Sequence, residues 1–264
     1  MADFTAKDVQ NLRRSTGVGM LDAKKALEEN AGDVEKATVW LREKGLASAA
    51  KRSDRDASQG AVAVVREGNA AGIVQLKSET DFVAKAQEFV TMVDEMAARV
   101  ATDGVDAVAS FADEIDTMRT TLKENISVGE VVRLEAGEGE VIDTYLHTQA
   151  GRGVNAIAVV LKGGTQELAH EIAVHIAFAR PQVIRREDVP AAEVEAEKAT
   201  IENISRNEGK PEASLPKIIE GRLNGWYKER VLLEQAYAKD EKQTISQLLN
   251  GAEIVAYSQV TIGT

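Results

Sequence analysis

The chain has 264 residues, 28% of them charged, a formal net charge of -11 and no cysteine. This is ordinary composition for a soluble globular protein of one large domain or two to three small ones. It excludes disulfides, thiolate metal sites and cysteine nucleophiles, and the acidic balance argues against wrapping nucleic acid. No apolar run approaches the length of a membrane span. The start, Met1-Ala2-Asp3-Phe4, has neither a basic leader nor an apolar targeting core, so a cytoplasmic location is expected.

Residues 1–46 read as a three-helix bundle. Thr5 can cap a helix carrying Val9 and Leu12. A second helix holds Met20, Ala23, Ala26 and Leu27 and stops near Asn30-Ala31-Gly32. Asp33 caps a third with Val34, Ala37, Trp40 and Leu41 on one face, closed by Gly45. The turn Gly17-Val18-Gly19-Met20 has two readings, a tight turn with Met20 in the core or an exposed loop that docks a partner. It is no nucleotide loop, because no Lys-Ser/Thr pair follows at P-loop spacing. Residues 47–59, small and polar, read as a linker whose first part can extend the third helix, with Lys51, Arg52 and Arg55 as a solvated face. The bundle is expected to move relative to the rest.

Two apolar runs, 61–65 and 71–76, around Arg66-Glu67-Gly68-Asn69-Ala70 predict a β-hairpin. From Phe82 onward, apolar residues recur at Val83, Ala86, Phe89, Val90, Val93, Met96, Ala97 and Val100, the spacing of a helix with one apolar face. The stretch from Lys77 to Lys85 is therefore a strand-to-helix junction. Ser78 with Asp81, or Thr80 alone, can cap its first-turn amides, and Asp81 is favoured there by the helix dipole. Phe82 is either a core ring over the sheet or an aromatic anchor at an exposed tip between Asp81 and Lys85. Weaker helical spacing continues through Val108, Phe111 and Ile115 to Met118, Leu122 and Ile126.

The order then recurs. Residues 131–134 form a short strand, and 141–146 and 154–161 form strands across a turn at 147–153. A helix follows Thr165 with Leu168, Ala169, Ile172, Ala173 and Ile176, and Pro181 ends it. His147 falls in the hairpin turn, and His170 and His175, five apart, do not share a helix face. No metal site is expected from them, and His175 reads as a packing residue. Beyond Pro190, Val194, Ile201 and Ile204, then Leu215, Ile219, Leu223 and Trp226, flank a Gly/Pro turn. They predict a projecting antiparallel helical hairpin at about 190–237, its apolar stripe being thin. Thr244 caps a short helix, and 252–262 alternate as a last strand returning to the second sheet. The expected class is α+β: a bundle at 1–46, a linker at 47–59, and two related subdomains at 60–139 and 140–264, each a small antiparallel sheet covered by helices on one face.

Three stretches carry a resemblance to a known family. Leu12 to Leu27, through Arg13-Arg14-Ser15-Thr16-Gly17-Val18-Gly19-Met20 and Lys24, is similar to the amino-terminal signature of the elongation factor Ts family. Glu79-Thr80-Asp81-Phe82-Val83-Ala84 resembles its central signature. Gly221-Arg222-Leu223-Asn224-Gly225-Trp226-Tyr227-Lys228-Glu229, continuing through Leu233-Glu234-Gln235 and Lys239-Asp240, resembles its carboxy-terminal region. Ala23 and Ser78 stand where many members carry cysteine. The resemblance implies a UBA-like fold for the bundle. It also implies a guanine-nucleotide exchange factor that breaks no bond, needs no cofactor or metal, and binds the GTPase elongation factor Tu, GDP-bound and nucleotide-free. Thr80, Asp81, Phe82 and Val83 would form the exchange wedge at the partner's magnesium and phosphate site. Arg13, Val18, Gly19, Met20 and Lys24 would dock the bundle on the partner's nucleotide-binding domain. His147, Gly151 and Gly153 are expected as a further contact of the second subdomain. A homodimer or a 2:2 complex stays open. The competing readings are an interaction module or structural protein, and a nucleic-acid module, which the charge and the absence of aromatics within a basic stripe disfavour.

Overall fold

A computed structural model describes residues 4–263; residues 1–3, where no leader is expected, and residue 264 lie outside them. Helix α1 (Ala6–Thr16) opens with a capping box: the Thr5 hydroxyl accepts from the Asp8 amide, and the Asp8 carboxylate accepts from the Thr5 amide. Gly17, at φ 69°, ends it in the left-handed region. Helices α2 (Met20–Glu29) and α3 (Val34–Ala50) close a core of Leu12, Ala23, Ala26, Leu27, Ala37 and Leu41. Gly45 does not close α3. The helix runs on to Ala50, and Gly45 lies where α3 packs against α6 (Ala112–Leu122), the space of a Cβ being taken by the Thr120 side chain. Nor do Arg52 and Arg55 simply face water: Arg52 donates to the Arg119 carbonyl at 2.9 Å, and Arg55 pairs with Glu79 at 3.5 Å. Arg42–Asp113 and Lys123–Asp22 ion pairs join the bundle to α6 as well.

The centre is a stack of two three-stranded antiparallel sheets. The first has the order β1 (Gln59–Glu67), β2 (Ala70–Ser78), β3 (Ser127–Glu135); the second has β4 (Glu140–Gln149), β5 (Arg152–Lys162), β8 (Glu253–Thr261). Alternate residues serve opposite faces. From the first sheet, Ala61, Ala63, Val74 and Leu76 pack outward on Phe89, Val93, Met96 and Val100 of α5 (Gln87–Asp103), while Val62, Ala71 and Ile73 face the second sheet. From the second, Ile157, Val159 and Leu161 pack outward on Ile172 and Ile176 of α7 (Gln166–Ala179), while Ala156, Ala158 and Val160 face the first. The layers therefore run helix, sheet, sheet, helix. Close approach is built in at two glycines: a Cβ on Gly72 would strike the Ala97 carbonyl oxygen of α5, and one on Gly153 would strike the Val62 carbonyl oxygen of the facing sheet. Side chains bond across the sheet interface, among them Arg66 to the Ile142 carbonyl (2.8 Å), Gln75 to the Thr261 carbonyl (2.8 Å) and Arg152 to the Gly60 carbonyl.

Other boundaries depart from the pattern for identifiable reasons. The helical run from Phe82 is two helices, α4 (Asp81–Ala84) and α5, because Ala86 is extended (ψ 134°). The strand expected at 131–134 begins at Ser127 and completes the first sheet beside β2. The turn after β4 is Ala150-Gly151 alone, both left-handed at φ 52° and 82°. His147 therefore lies in strand β4 and Gly153 in strand β5, not in a loop. Helices α8 (Ala191–Asn207) and α9 (Leu215–Arg230) pack on each other across a turn at 208–214. α9 stops at Arg230 instead of reaching Tyr237. Val231 pairs back with Val183, and Leu232 is buried in the second core. A small hairpin that the sequence pattern did not reveal, β6 (Ala236–Tyr237) with β7 (Asp240–Thr244), leads to α10 (Ile245–Leu249).

His175 is buried in α7, its Nδ1 accepting from the Ala238 amide (3.2 Å) and its Nε2 donating to Gln235 Oε1 (3.0 Å). That geometry needs a neutral ring, and burial holds the pKa below the usual histidine value. A base depressed in the folded state is protonated first in the unfolded chain, so stability is lost as pH falls below about 6.5. Thermal unfolding should show a falling midpoint between pH 7 and 5, a slope that His175→Gln flattens. Gly153→Ala should cost about 1–3 kcal/mol, because two sheet backbones must separate. A thermal midpoint equal to that of the unsubstituted chain would contradict this.

Candidate partner-binding site

The junction after β2 is held by one carboxylate. Glu124, in the turn after α6, accepts the amides of Glu79 and Thr80 at 3.1 Å each and the Thr80 hydroxyl at 2.5 Å. The arrangement is reciprocal: Glu79 accepts the Asn125 amide at 2.6 Å, and the Asn125 side chain donates to the carbonyls of Ser53 and Arg55. Thr80 also caps α4 by accepting from the Val83 amide. Of the two capping schemes, Thr80 acts. Buried Ser78 instead donates to the Thr80 carbonyl (3.0 Å), and Asp81 is the first helical residue, ion-paired with Lys85 one turn on. That ammonium, with a smaller pull from Arg152, holds the Asp81 carboxyl below the usual carboxylate range.

Within this fixed turn, adjacent side chains part company. Ala84 is fully buried and Val83 packs on the first core, whereas Phe82 is 84% exposed. Of the two readings of Phe82, the exposed tip is the observed one. It stands beside a depression that includes Gln59, Gln149, Ala150 and Arg152, so the β4–β5 turn of the second sheet lies next to the tip.

The other expected residues fall in two places. In the bundle, Arg13, Gly19 and Lys24 are exposed and Met20 is 46% exposed, but the Val18 side chain is buried in the bundle core. Val18 can offer a partner only its backbone. Leu21, 83% exposed on the outer side of α2, was not singled out; its offset from the Ala23, Ala26 and Leu27 stripe is the signal that marks it. Near the second sheet, His147 and Gly151 are exposed, whereas Gly153 is buried and explained by sheet packing. Sequence reasoning also missed Glu124, whose role comes from a contact 44 residues away in the chain, and Phe178, 78% exposed at the end of α7. Among the described residues, no group of three or more His, Asp or Glu is placed to hold a metal, and no helix is long and apolar enough to cross a membrane.

A family model described as Elongation factor TS matches residues 79–264, beginning at the fixed junction. The chain belongs to that family. Full-length relatives agree: Elongation factor Ts of Clavibacter michiganensis subsp. michiganensis is 44% identical, covering all of both chains. That of Kineococcus radiotolerans is 44% identical over 96% of each, and that of Leifsonia xyli subsp. xyli 43% over all of both. The relatives extend the likeness over the amino-terminal bundle, which the family model leaves out. Members of the elongation factor Ts family act in translation as nucleotide-exchange factors and are not themselves enzymes.

Replacing Glu124 by Ala should leave two amides and a hydroxyl without their acceptor, costing about 1–3 kcal/mol. Hydrogen exchange at the Glu79 and Thr80 amides should speed up well beyond that of the β2 amides. Unchanged protection at both positions would show that the bracket does not hold the turn.

Proposed function

We propose that this chain binds elongation factor Tu in its GDP-bound state, drives GDP loss, holds the nucleotide-free GTPase and leaves when GTP binds. Family membership supports the partner and the reaction class. The observation that carries the mechanism is the exposed Phe82 ring on a turn otherwise locked by hydrogen bonds and ion pairs. Phe82 enters an apolar gap between two helices of the partner, next to its magnesium and phosphate site. Desolvating the ring supplies roughly 2–3 kcal/mol, and the intrusion displaces groups that position magnesium, weakening the hold on the GDP phosphates. Asp81 orients the insertion through polar contacts, while Thr80 and Val83 fix the turn at its two ends. In the bundle, Arg13, Lys24, Met20 and the Gly19 backbone, with that of Val18, dock on the nucleotide-binding domain and add affinity. The helical pair α8–α9 contacts the partner away from the nucleotide.

The thermodynamics sets a magnitude. A factor that prefers the empty GTPase weakens GDP by the same free energy; a 10⁴-fold effect needs about 5.5 kcal/mol of differential affinity. Phe82→Ala should change the thermal midpoint little, since surface substitutions usually stay within about 0.5 kcal/mol. In stopped-flow GDP release at saturating factor, most of the stimulation should disappear. A folded variant with full stimulation would reject the wedge.

A further inference from the structure

By composition, residues 47–59 would be a tether on which the bundle moves, yet the fold leaves that tether little slack. Helix α3 takes up its first part, running to Ala50. In the remainder, the carbonyls of Ser53 and Arg55 are held by the Asn125 side chain at 3.0 and 2.8 Å. Arg52 and Arg55 close the same stretch onto the Arg119 carbonyl and Glu79.

Helix α6 and the turn that ends it meet every part of this region. On one face, Ile115 and Met118 are buried in the first core. The other face receives the bundle: Asp113 in the first turn pairs with Arg42 at 2.6 Å, and Thr120 in the last turn fills the notch at Gly45 of α3. At Lys123 the chain turns left-handed, φ 59°. From there Lys123 reaches Asp22 of α2 at 3.1 Å, Glu124 takes the amides just before Phe82, and Asn125 holds the linker. Three successive residues thus bind the bundle, the wedge junction and the segment between them. The Arg42–Asp113 and Lys123–Asp22 pairs are exposed and each contributes little. The close packing at Gly45 and the bonds of Glu124 and Asn125 carry the arrangement.

We infer that α6 with its closing turn is a spacer that holds the docking loop of the bundle and Phe82 as one preformed surface, and that Gly45, Thr120 and Asn125 are positioning residues for exchange. The inference rests on the exchange-factor reading and adds how the two contacts act together. Once the bundle has docked, Phe82 meets its gap at an effective concentration set by the spacer. Little freedom of the bundle then has to be frozen on binding. Nucleotide release stays with the wedge, so loosening the spacer raises the half-saturating concentration and spares the maximum rate.

Gly45→Ala loosens it selectively. The change favours helix in α3, but the new methyl would lie 2.3 and 2.7 Å from the two γ atoms of Thr120. Rotation of Thr120 cannot clear both, because two γ atoms share three staggered positions. With Thr120→Ala added, the nearest Thr120 atom left is the β carbon at 3.1 Å, and the contact is largely restored. Asn125→Ala releases the linker carbonyls independently. Because the chain has no cysteine, Glu29→Cys and Glu88→Cys, both at exposed positions, place two spin labels across the joint.

Pulsed electron spin resonance should give one narrow distance distribution in the free full-length chain, unchanged by elongation factor Tu·GDP, and a broad one once Gly45→Ala and Asn125→Ala are combined. In stopped-flow GDP release with unlabelled proteins, that combination should need about tenfold more factor for half-saturation and reach the plateau rate of the unsubstituted chain. Met20→Ala should cost the loosened chain less than it costs the unsubstituted one, a non-additivity that a general loss of structure would not produce. Thr120→Ala should bring Gly45→Ala back towards the original half-saturation. If Gly45→Ala fails to fold, Asn125→Ala alone carries the same comparison. A broad distribution in the unsubstituted free chain that narrows only on binding, or equal half-saturation for all variants, overturns the spacer and leaves the exchange reading standing. If the unsubstituted chain does not accelerate GDP release, the exchange reading falls and the positioning role with it.

Discussion

Burial of β2 and β5 on both faces is the constraint from which the outward-facing features follow. Each strand has a helix on one side and the other sheet on the opposite side. Both therefore read as nearly continuous apolar runs, and both need a glycine where backbone meets backbone, Gly72 under α5 and Gly153 under β1. Stacking the sheets fixes where their ends lie. Arg152 opens β5 and bonds to Gln59 and Gly60, which open β1, and Gln59 is paired with Ser78 at the end of β2. The β4–β5 turn thereby comes to rest beside the junction that carries Phe82. A slip between the sheets would separate the ring from the basin next to it.

The junction itself is stiffened from three directions. Glu124 takes its amides, Asn125 ties the same loop to residues 53 and 55, and the Ala84 methyl is anchored in the first core. A phenylalanine held in water on such a turn loses little further freedom when a partner covers it, so more of its desolvation energy is available for binding. The ion pair of Asp81 with Lys85 is exposed and contributes little to folding. Its effect is to hold the Asp81 and Lys85 side chains together one turn apart beside the ring.

Local signals carried much of this into the sequence. Thr5, Asp33 and Thr244 stand at helix starts and accept from first-turn amides as their positions predict, because a cap is decided within four residues. The β1–β2 hairpin and the returning last strand were legible for similar reasons. What was not legible depended on contacts between distant segments. Gly45 looks like a helix stop until α6 is brought against it. The break at Ala86 leaves the apolar spacing undisturbed. Ala150 adopts a left-handed conformation that its identity does not announce, and this moved His147 and Gly153 into strands. The central site was legible as a motif with an open choice for Phe82; the carboxylate that holds it, Glu124, had no local signature.

Separating a wedge from remote anchors has a thermodynamic rationale. A contact that is equally strong with the GDP-bound and the empty partner raises occupancy but cannot shift the nucleotide equilibrium. Only a group whose environment differs between those two states weakens GDP. In the exchange-factor reading, Phe82 is such a group, because the gap it fills adjoins the phosphate site. In the same reading the exposed face of α2 is an anchor, and what it binds persists as nucleotide leaves. Strong anchors alone would trap the partner with GDP still bound, and a wedge alone would bind too weakly to act at low concentration. Confining the differential contact to one ring on a rigid turn also lets GTP reverse it: refilling the phosphate site restores the groups that the ring displaced, and the anchors by themselves need only be weak enough to let go.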